Sequence, residues 1–225
     1  MSLPLVSCIC PTRNRAEFLP LVVACFEAQG YPNKELIILD DSDVIPTAGH
    51  ESGVRYFRIP PPNTIGQKRN FCCDFAKGDL ICHFDSDDWF APDRISRQVA
   101  VLQDDPEAQA TAYQTMLFAR DADQRAWRFT GHKGNVVGVS LMYRRDWWKR
   151  HQFNESLPFG EDHSFVQMLG PRLVISDQER IVARIHPGNT CKRSEDGNLA
   201  NRDYWQPAEW NEVSRLGYEQ AVVCA

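Results

Sequence analysis

Short apolar runs in the first half of the chain break off, one after another, into polar clusters. "LVSCIC" (5–10) runs into "PTRN" (11–14), "ELIIL" opens onto "DDSD" (40–43), and "DLICHF" (79–84) onto "DSDD" (85–88). Each run is dense in residues that favour strands. Between them "FLPLVVACFEAQ" sets Leu19, Val22, Val23 and Phe26 at helical spacing before Gly30, with Pro20 close to the helix start. "RYFRIP" (55–60) reads as another strand. "GQKRNFCCDFAKG" (66–78) reads as a helix carrying Phe71 and Phe75 four apart, and "APDRISRQVAVLQ" (91–103) as a helix through Ile95, Val99 and Leu102. Strand, helix, strand, strand, helix, strand, helix specifies an α/β three-layer sandwich with a mixed, mainly parallel sheet. Ligands of such sheets gather beyond the carboxyl ends of the strands, so the polar clusters are expected on one rim.

The second half reads differently. "QATAYQTMLFAR" (109–120), "AWRFT" (126–130) and "NVVGVSLMYRR" (135–145) are expected strands, antiparallel and added at the sheet edge. "GEDHSFVQMLG" (160–170) is an expected short helix and "RIVARIHPGN" (180–189) a strand running into a loop. Residues 187–203 form a polar loop, and 207–223 a terminal helix. A chain of 225 residues with 43% apolar and 24% charged side chains suits one folded domain with a modest appendage. Its net charge of −5 disfavours a general nucleic-acid-binding surface. The longest apolar run, Leu21 to Phe26, is far too short to span a bilayer. No basic leader precedes the first apolar stretch. Cys8, Cys10, Cys25, Cys72, Cys73 and Cys82 lie within apolar segments and no pair has CxxC spacing, which points to buried reduced thiols and a cytoplasmic protein.

"FDSDDW" (84–89) crowds three aspartates at the end of a buried run. Like charges so placed repel unless a cation compensates. Asp85 and Asp87, two apart, project to one side of a strand and suit a hard divalent cation, Mn²⁺ or Mg²⁺, that keeps positions for phosphate oxygens. The plainer alternative is an Asp-rich turn capping the next helix, a role open to Asp88 in particular. Lys68 and Arg69 fall in the expected first turn of their helix, where cations oppose the dipole unless an anion offsets them. A diphosphate ligand accounts for both features; side chains bent into water would account for the second.

Taken together, "VSCICPTRNR", "ELIILDDSD", "GQKRN", "FDSDDW", "GEDHSF" and "IHPGNT" resemble, in order and spacing, the motifs of family-2 glycosyltransferases with the GT-A fold, over about residues 4 to 190. The resemblance implies a catalytic domain over 1–190, with a nucleotide-binding half (1–105) and an acceptor-binding half (106–190), and residues 191–225 packed on it. It implies that Thr12 and Arg13 contact the nucleotide, that Asp41 with Asp40 beside it accepts from the base, and that Lys68, Arg69 and Ser86 join the donor site. Asp85 would meet the ribose or metal, Asp87 would ligate a metal bridging the phosphates, and His186 would contact diphosphate or metal. Asp162, with Glu161 before it, matches the position of the general base that deprotonates the acceptor hydroxyl. The plain alternative for both acids is to complement a helix dipole. Where the family often reads "DDGS", this chain reads "DDSD".

The implied activity is inverting, metal-dependent and non-processive transfer from a nucleoside-diphosphate sugar, UDP-linked for preference. The acceptor would be a glycan, a lipid-linked sugar or a protein side chain, with peripheral contact at the inner membrane face if it is lipid-linked. Trp89, next to the aspartates, is the aromatic expected to reach the site, and Trp148 with the 187–203 loop is expected to help build the acceptor side. Competing readings are a sugar nucleotidyltransferase, which lacks its Gly-rich phosphate loop here, a non-catalytic nucleotide-sugar-binding module, and a metal-dependent phosphohydrolase.

Overall fold

The computed structural model describes residues 3–43, 52–131 and 135–219. Strand β1 (Val6–Thr12) is central in the main sheet, parallel to β2 (Lys34–Asp40) on one side and to β4 (Leu80–His83) on the other. β3 (Val54–Arg58) extends the parallel set beyond β2. Past β4 come β9 (Met142–Arg144), antiparallel, then β6 (Ala110–Tyr113) and β10 (Leu173–Ser176). Side chains alternate between the faces, as a strand's period of two requires. Cys8, Cys10, Leu36, Ile38 and Cys82 join the core that includes α1 (Leu19–Glu27) and α3 (Arg94–Asp104). Ile9, Ile37, Leu39 and Ile81 join a second core with α2 (Ile65–Phe75), α4 (Arg145–Trp148) and α5 (Glu161–Leu169). Both faces are therefore covered, which is why these runs are apolar throughout rather than alternating.

The helices form where the pattern places them, for local reasons. Pro20 occupies the first turn of α1, where its missing N–H has no intrahelical partner to lose. Thr64 caps α2 in a reciprocal pair with Gln67. The buried side of α2 is largely polar. Phe71 is exposed and Phe75 half-buried, stacked on Phe57, while Lys68, Arg69, Asn70, Cys72 and Cys73 face inward. An inward polar face is stable because its charges meet carboxylates from other segments, described below.

The second half does not simply extend the sheet. The run 109–120 belongs to two sheets and changes between them at Gln114, whose N–H donates to Ser176 O at 2.9 Å and whose side chain donates to Gly131 O at 2.9 Å. Beyond it β7 (Thr115–Arg120), β8 (Arg125–Thr130), β11 (Ile181–Arg184), β12 (Trp205–Ala208) and the two-residue β5 (Trp89–Phe90) make a second sheet, ordered β12-β8-β7-β11-β5. The expected strand over 135–145 shrinks to β9, preceded by a tight turn at Gly138–Ser140. The terminal helix starts later than expected: residues 205–208 pair with β8, and α6 covers Trp210–Arg215. Residues 220–223 of that expectation lie outside the described residues. Within the 187–203 loop, Glu195 is bound by Arg120 and Arg125, at 2.9 and 2.6 Å, which fastens the loop to the β7–β8 hairpin. Cys8, Cys10, Cys25, Cys72, Cys73 and Cys82 are all buried free thiols. Among the described residues no helix is long and apolar enough to cross a membrane.

Candidate active site

The parallel register of β1, β2 and β4 brings their polar ends together. Thr12 Oγ1 donates to Ser86 Oγ at 3.3 Å, the Asn14 backbone N–H donates to Ser42 Oγ at 2.6 Å, and Asn14 Nδ2 donates to Asp43 at 2.9 Å. Much of this rim is satisfied internally. Asp40 accepts from the Ser42 N–H at 2.8 Å and from the hydroxyls of Ser42 and Tyr56. Asp41 is fully buried, held by Lys68 Nζ at 2.8 Å and the Asn63 N–H at 2.9 Å, and Lys68 also donates to Thr12 O at 3.2 Å. Arg13 stands at the edge, 3.7 Å from Asp43 with both side chains well exposed, a pair of little energetic weight.

Beside this rim opens a cleft of about 190 Å³ lined by Arg15, Arg69, Asp85, Asp87, Asp88, Glu161 and Asp162. Arg69 is buried between Glu161 (Nε to Oε1, 3.0 Å) and Asp85 (Nη1 to Oδ1, 3.3 Å). Burial opposes the charge of Arg69, but Asp85, Glu161 and Asp162 more than offset it and hold the guanidinium above its ordinary pKa. Helix α2 begins at Ile65, so Lys68 and Arg69 fall at its fourth and fifth positions, past the first three exposed N–H groups. The anions that answer them are carboxylates of the chain itself.

Asp85 and Asp87 lie in the turn after β4 rather than on the strand, yet both reach the cleft. Asp87 Oδ2 is met by Arg15 Nη1 at 3.0 Å, His186 Nε2 at 2.9 Å and Asn189 Nδ2 at 3.2 Å. The Gly188 N–H donates to His186 Nδ1 at 3.2 Å, so the ring hydrogen is on Nε2 and points at Asp87. Burial pushes the Asp87 carboxyl up, but the His186 hydrogen bond and Arg15 outweigh it and hold the pKa below the usual value. Asp88 goes the other way. Burial, then Asp87 and Asp85, push it far above the carboxylate range. It caps no helix: its Oδ1 accepts the Arg184 N–H at 3.0 Å and ties the turn to β11, while α3 starts after Asp93.

That crowding tests whether the donor set fits a divalent cation. Asp85 and Asp87 are hard oxygen donors on one cleft, each paired there with an arginine, Asp85 with Arg69 and Asp87 with Arg15. Among the described residues no three His, Cys, Asp or Glu side chains are gathered at ligand spacing. Two carboxylates can hold such a cation only with its remaining positions filled from elsewhere, as substrate phosphates fill them for Mg²⁺.

Gly160 precedes α5 with φ of 80°, a left-handed conformation that a side chain would strain. From this corner the two acids diverge. Glu161 is buried against Arg69, whereas Asp162 lines the cleft, its Oδ1 accepting the His163 N–H at 2.8 Å, and among the described residues makes no salt bridge. Phe159, just before the corner, is 69% exposed at the rim. The tryptophans expected here are elsewhere: Trp89 is buried in the main core and Trp148 is buried with its indole N–H on Asn70, because each completes packing between sheet and helices. Sequence reading passed over Arg15, Asn189 and Arg193. Arg15 and Asn189 belong to the motifs above, but their convergence on Asp87 joins three separate segments, and Asn189 alone lies 102 residues from Asp87. Arg193 lines the cleft with its guanidinium over Phe118 (4.8 Å) and Trp205 (5.3 Å), and no local pattern marks it.

A three-layer sandwich whose parallel strands end on an acid-lined cleft is the GT-A architecture of nucleotide-sugar transferases, and solved structures agree. Residues 1–349 of TarS from S. aureus superpose with a TM-score of 0.63 at 17% identity, over 80% of this chain and 60% of that one. The mannosyltransferase PcManGT from Pyrobaculum calidifontis, solved in complex with GDP-Man and Mn²⁺, gives 0.64 at 16% identity, over 84% and 59%. The chain belongs to glycosyl transferase family 2, whose family model matches residues 7–165. Among curated relatives, a glycosyltransferase of Haemophilus influenzae is 30% identical over 106 residues, 44% of this chain and 42% of that protein. The amylovoran biosynthesis glycosyltransferase AmsB of Erwinia amylovora is 26% identical over 106 residues, 43% and 35% respectively. The match thus spans less than half the length of these relatives.

Proposed function

We propose that the protein transfers a sugar from a nucleoside-diphosphate sugar to an acceptor hydroxyl with inversion at the anomeric carbon, assisted by a divalent metal. The observation that carries this reading is the division of labour at the corner before α5. Glu161 is committed to Arg69, while Asp162, which makes no direct salt bridge among the described residues, lines the cleft that also holds Asp85 and Asp87. In this reading Asp162 takes the proton from the acceptor hydroxyl as its oxygen attacks the anomeric carbon. The bond from that carbon to the diphosphate breaks on the opposite side, its electron pair leaving with the nucleotide.

Thr12, Arg13 and Ser86 present polar groups to the nucleotide, and Asp40, Asp41 and Lys68 shape the wall behind them through their mutual bonds. Glu161 and Asp85 hold Arg69 in the wall of the donor site, and Arg15 and His186 keep Asp87 ionised and aimed. Mn²⁺ or Mg²⁺, when bound, would be held by Asp85 and Asp87 with His186 alongside, and would neutralise charge on the departing diphosphate. TarS was solved with UDP and with UDP-GlcNAc, which makes UDP sugars the first donors to try, followed by GDP-mannose. A glycan, lipid-linked sugar or protein hydroxyl is the acceptor class, with peripheral membrane contact in the lipid-linked case.

The test is a panel of nucleotide sugars with acceptor extracts, scored by nucleoside-diphosphate release with Mn²⁺ and with EDTA. Asp162→Asn is expected to lower transfer by about 10² to 10⁴-fold with nucleotide binding nearly unchanged. Release that is indifferent to acceptor, or full transfer by Asp162→Asn, would refute the assignment.

A further inference from the structure

Residues 137–140 are held by their backbone carbonyls in an uncommon way. Four consecutive carbonyls each accept from a side chain: Val137 O from Ser140 Oγ at 2.7 Å, Gly138 O from His83 Nδ1 at 2.7 Å, Val139 O from Arg94 Nη2 at 2.8 Å, and Ser140 O from Gln98 Nε2 at 2.8 Å. All four donor residues are buried, His83, Arg94 and Ser140 completely. Because a carbonyl only accepts, His83 Nδ1 carries the hydrogen and Nε2 is left facing Tyr143 Oη at 3.4 Å. Arg94, without a carboxylate partner among the described residues, lies over Phe84 and Phe90 and also donates from Nε to Gln98. Polar side chains are costly to bury, so a set converging on one turn fixes that turn firmly.

The turn sits against Asp162. A Cβ added at Gly138 would lie 2.1 Å from Asp162 Oδ2, 2.6 Å from its Cβ and 2.7 Å from its Cγ. Rotating the carboxylate does not relieve contact with Cβ, which the helix backbone places. We propose that residues 137–140 are a rigid seat that aims the Asp162 carboxylate into the cleft, with Gly138 as the point of contact and His83, Arg94 and Gln98 as positioning residues. The proposal rests on the reading of Asp162 as the base. In chemical terms, proton removal from the acceptor depends on the carboxylate oxygen lying within hydrogen-bond reach, and the seat sets that reach without touching substrate.

A double-mutant cycle tests it, using the sugar nucleotide and acceptor selected by the panel above. Gly138→Ala is expected to lower kcat by about 10²-fold while donor KM stays within about threefold, as for a small misplacement of a reacting group. In an Asp162→Asn background the same change should cost nothing further, because there is no base left to misplace. An equal loss in both backgrounds, or a loss confined to KM, would overturn the seat and leave the base standing. Full activity in Asp162→Asn overturns the base and the seat with it. Should Gly138→Ala fail to fold, His83→Leu and His83→Gln replace it in the cycle: Leu should lower kcat through Asp162 alone, and Gln, which can still donate to Gly138 O, should recover most of the loss. Equal kcat in the two His83 variants would also overturn the seat.

Discussion

Arg69→Met separates a residue kept for the fold from one kept for a ligand. Methionine retains most of the length and bulk but no charge. In the native chain Arg69 is 4% exposed and binds Glu161, whose side chain is 6% exposed, at 3.0 Å. Without the guanidinium, Glu161 is a buried carboxylate with no partner, a situation that costs about 3–5 kcal/mol. The second pair, to Asp85, involves a side chain that is 28% exposed, so solvent screens it and its loss adds on the order of 0–1 kcal/mol. Against a total stability of roughly 5–15 kcal/mol, the sum is a large fraction. Urea unfolding at pH 7, followed by far-UV circular dichroism, reads it directly. Adding Glu161→Gln removes the stranded charge, so the double variant should recover most of the deficit and show a coupling of about 2–3 kcal/mol. A deficit below about 1 kcal/mol, or simple additivity of the two changes, would refute the account of Arg69 as a cation answered by the chain's own acids. A sharp loss of nucleotide affinity without loss of stability would instead return it to the role of a phosphate ligand.

Three further outcomes follow from the same geometry. Gly160→Ala meets no neighbouring atom, so its cost is backbone strain alone, about 1–2 kcal/mol by urea unfolding, and a cost near zero would contradict the left-handed corner. His83 has its pKa pushed well below the ordinary value by burial and then by Arg69, so the folded chain refuses a proton that the unfolded chain accepts below about pH 6.5. Stability should therefore fall with falling pH through that range, by up to about 1.4 kcal/mol per pH unit, and His83→Gln should flatten the slope; parallel urea profiles for the two proteins would sink this. Asp87→Ala strips Arg15, His186 and Asn189 of their shared acceptor and should weaken nucleoside-diphosphate binding at least about tenfold in Mn²⁺ but little in EDTA, by calorimetry; equal weakening in both media would mean that Asp87 serves structure only.

Much of the architecture was legible in the residues alone. Short apolar runs dense in strand-forming residues mark β1, β2 and β4, helical spacing marks α1 and α3, and the polar breaks after the strands foretell the rim, because these features depend on neighbours close in the chain. The motifs carry Asp85, Asp87, Glu161 and Asp162, and the fold places all four on one cleft. What the amino-acid order left open was how those groups divide their partners. Lys68 and Arg69 looked alike as helix cations, yet one is spent on Asp41 and the other on Asp85 and Glu161, and Arg69 and Glu161 are 92 residues apart. Trp89 is expected as a rim aromatic, and tertiary packing buries it in the main core. The run 109–120 held a change of sheet that no periodicity marks, and the closeness of Gly138 to Asp162 exists only once β4, α3 and α5 are assembled. Local sequence sets which backbone conformations and side-chain chemistries are available; charge compensation and steric contact act through space, so only the folded chain decides which carboxylate pairs with which cation.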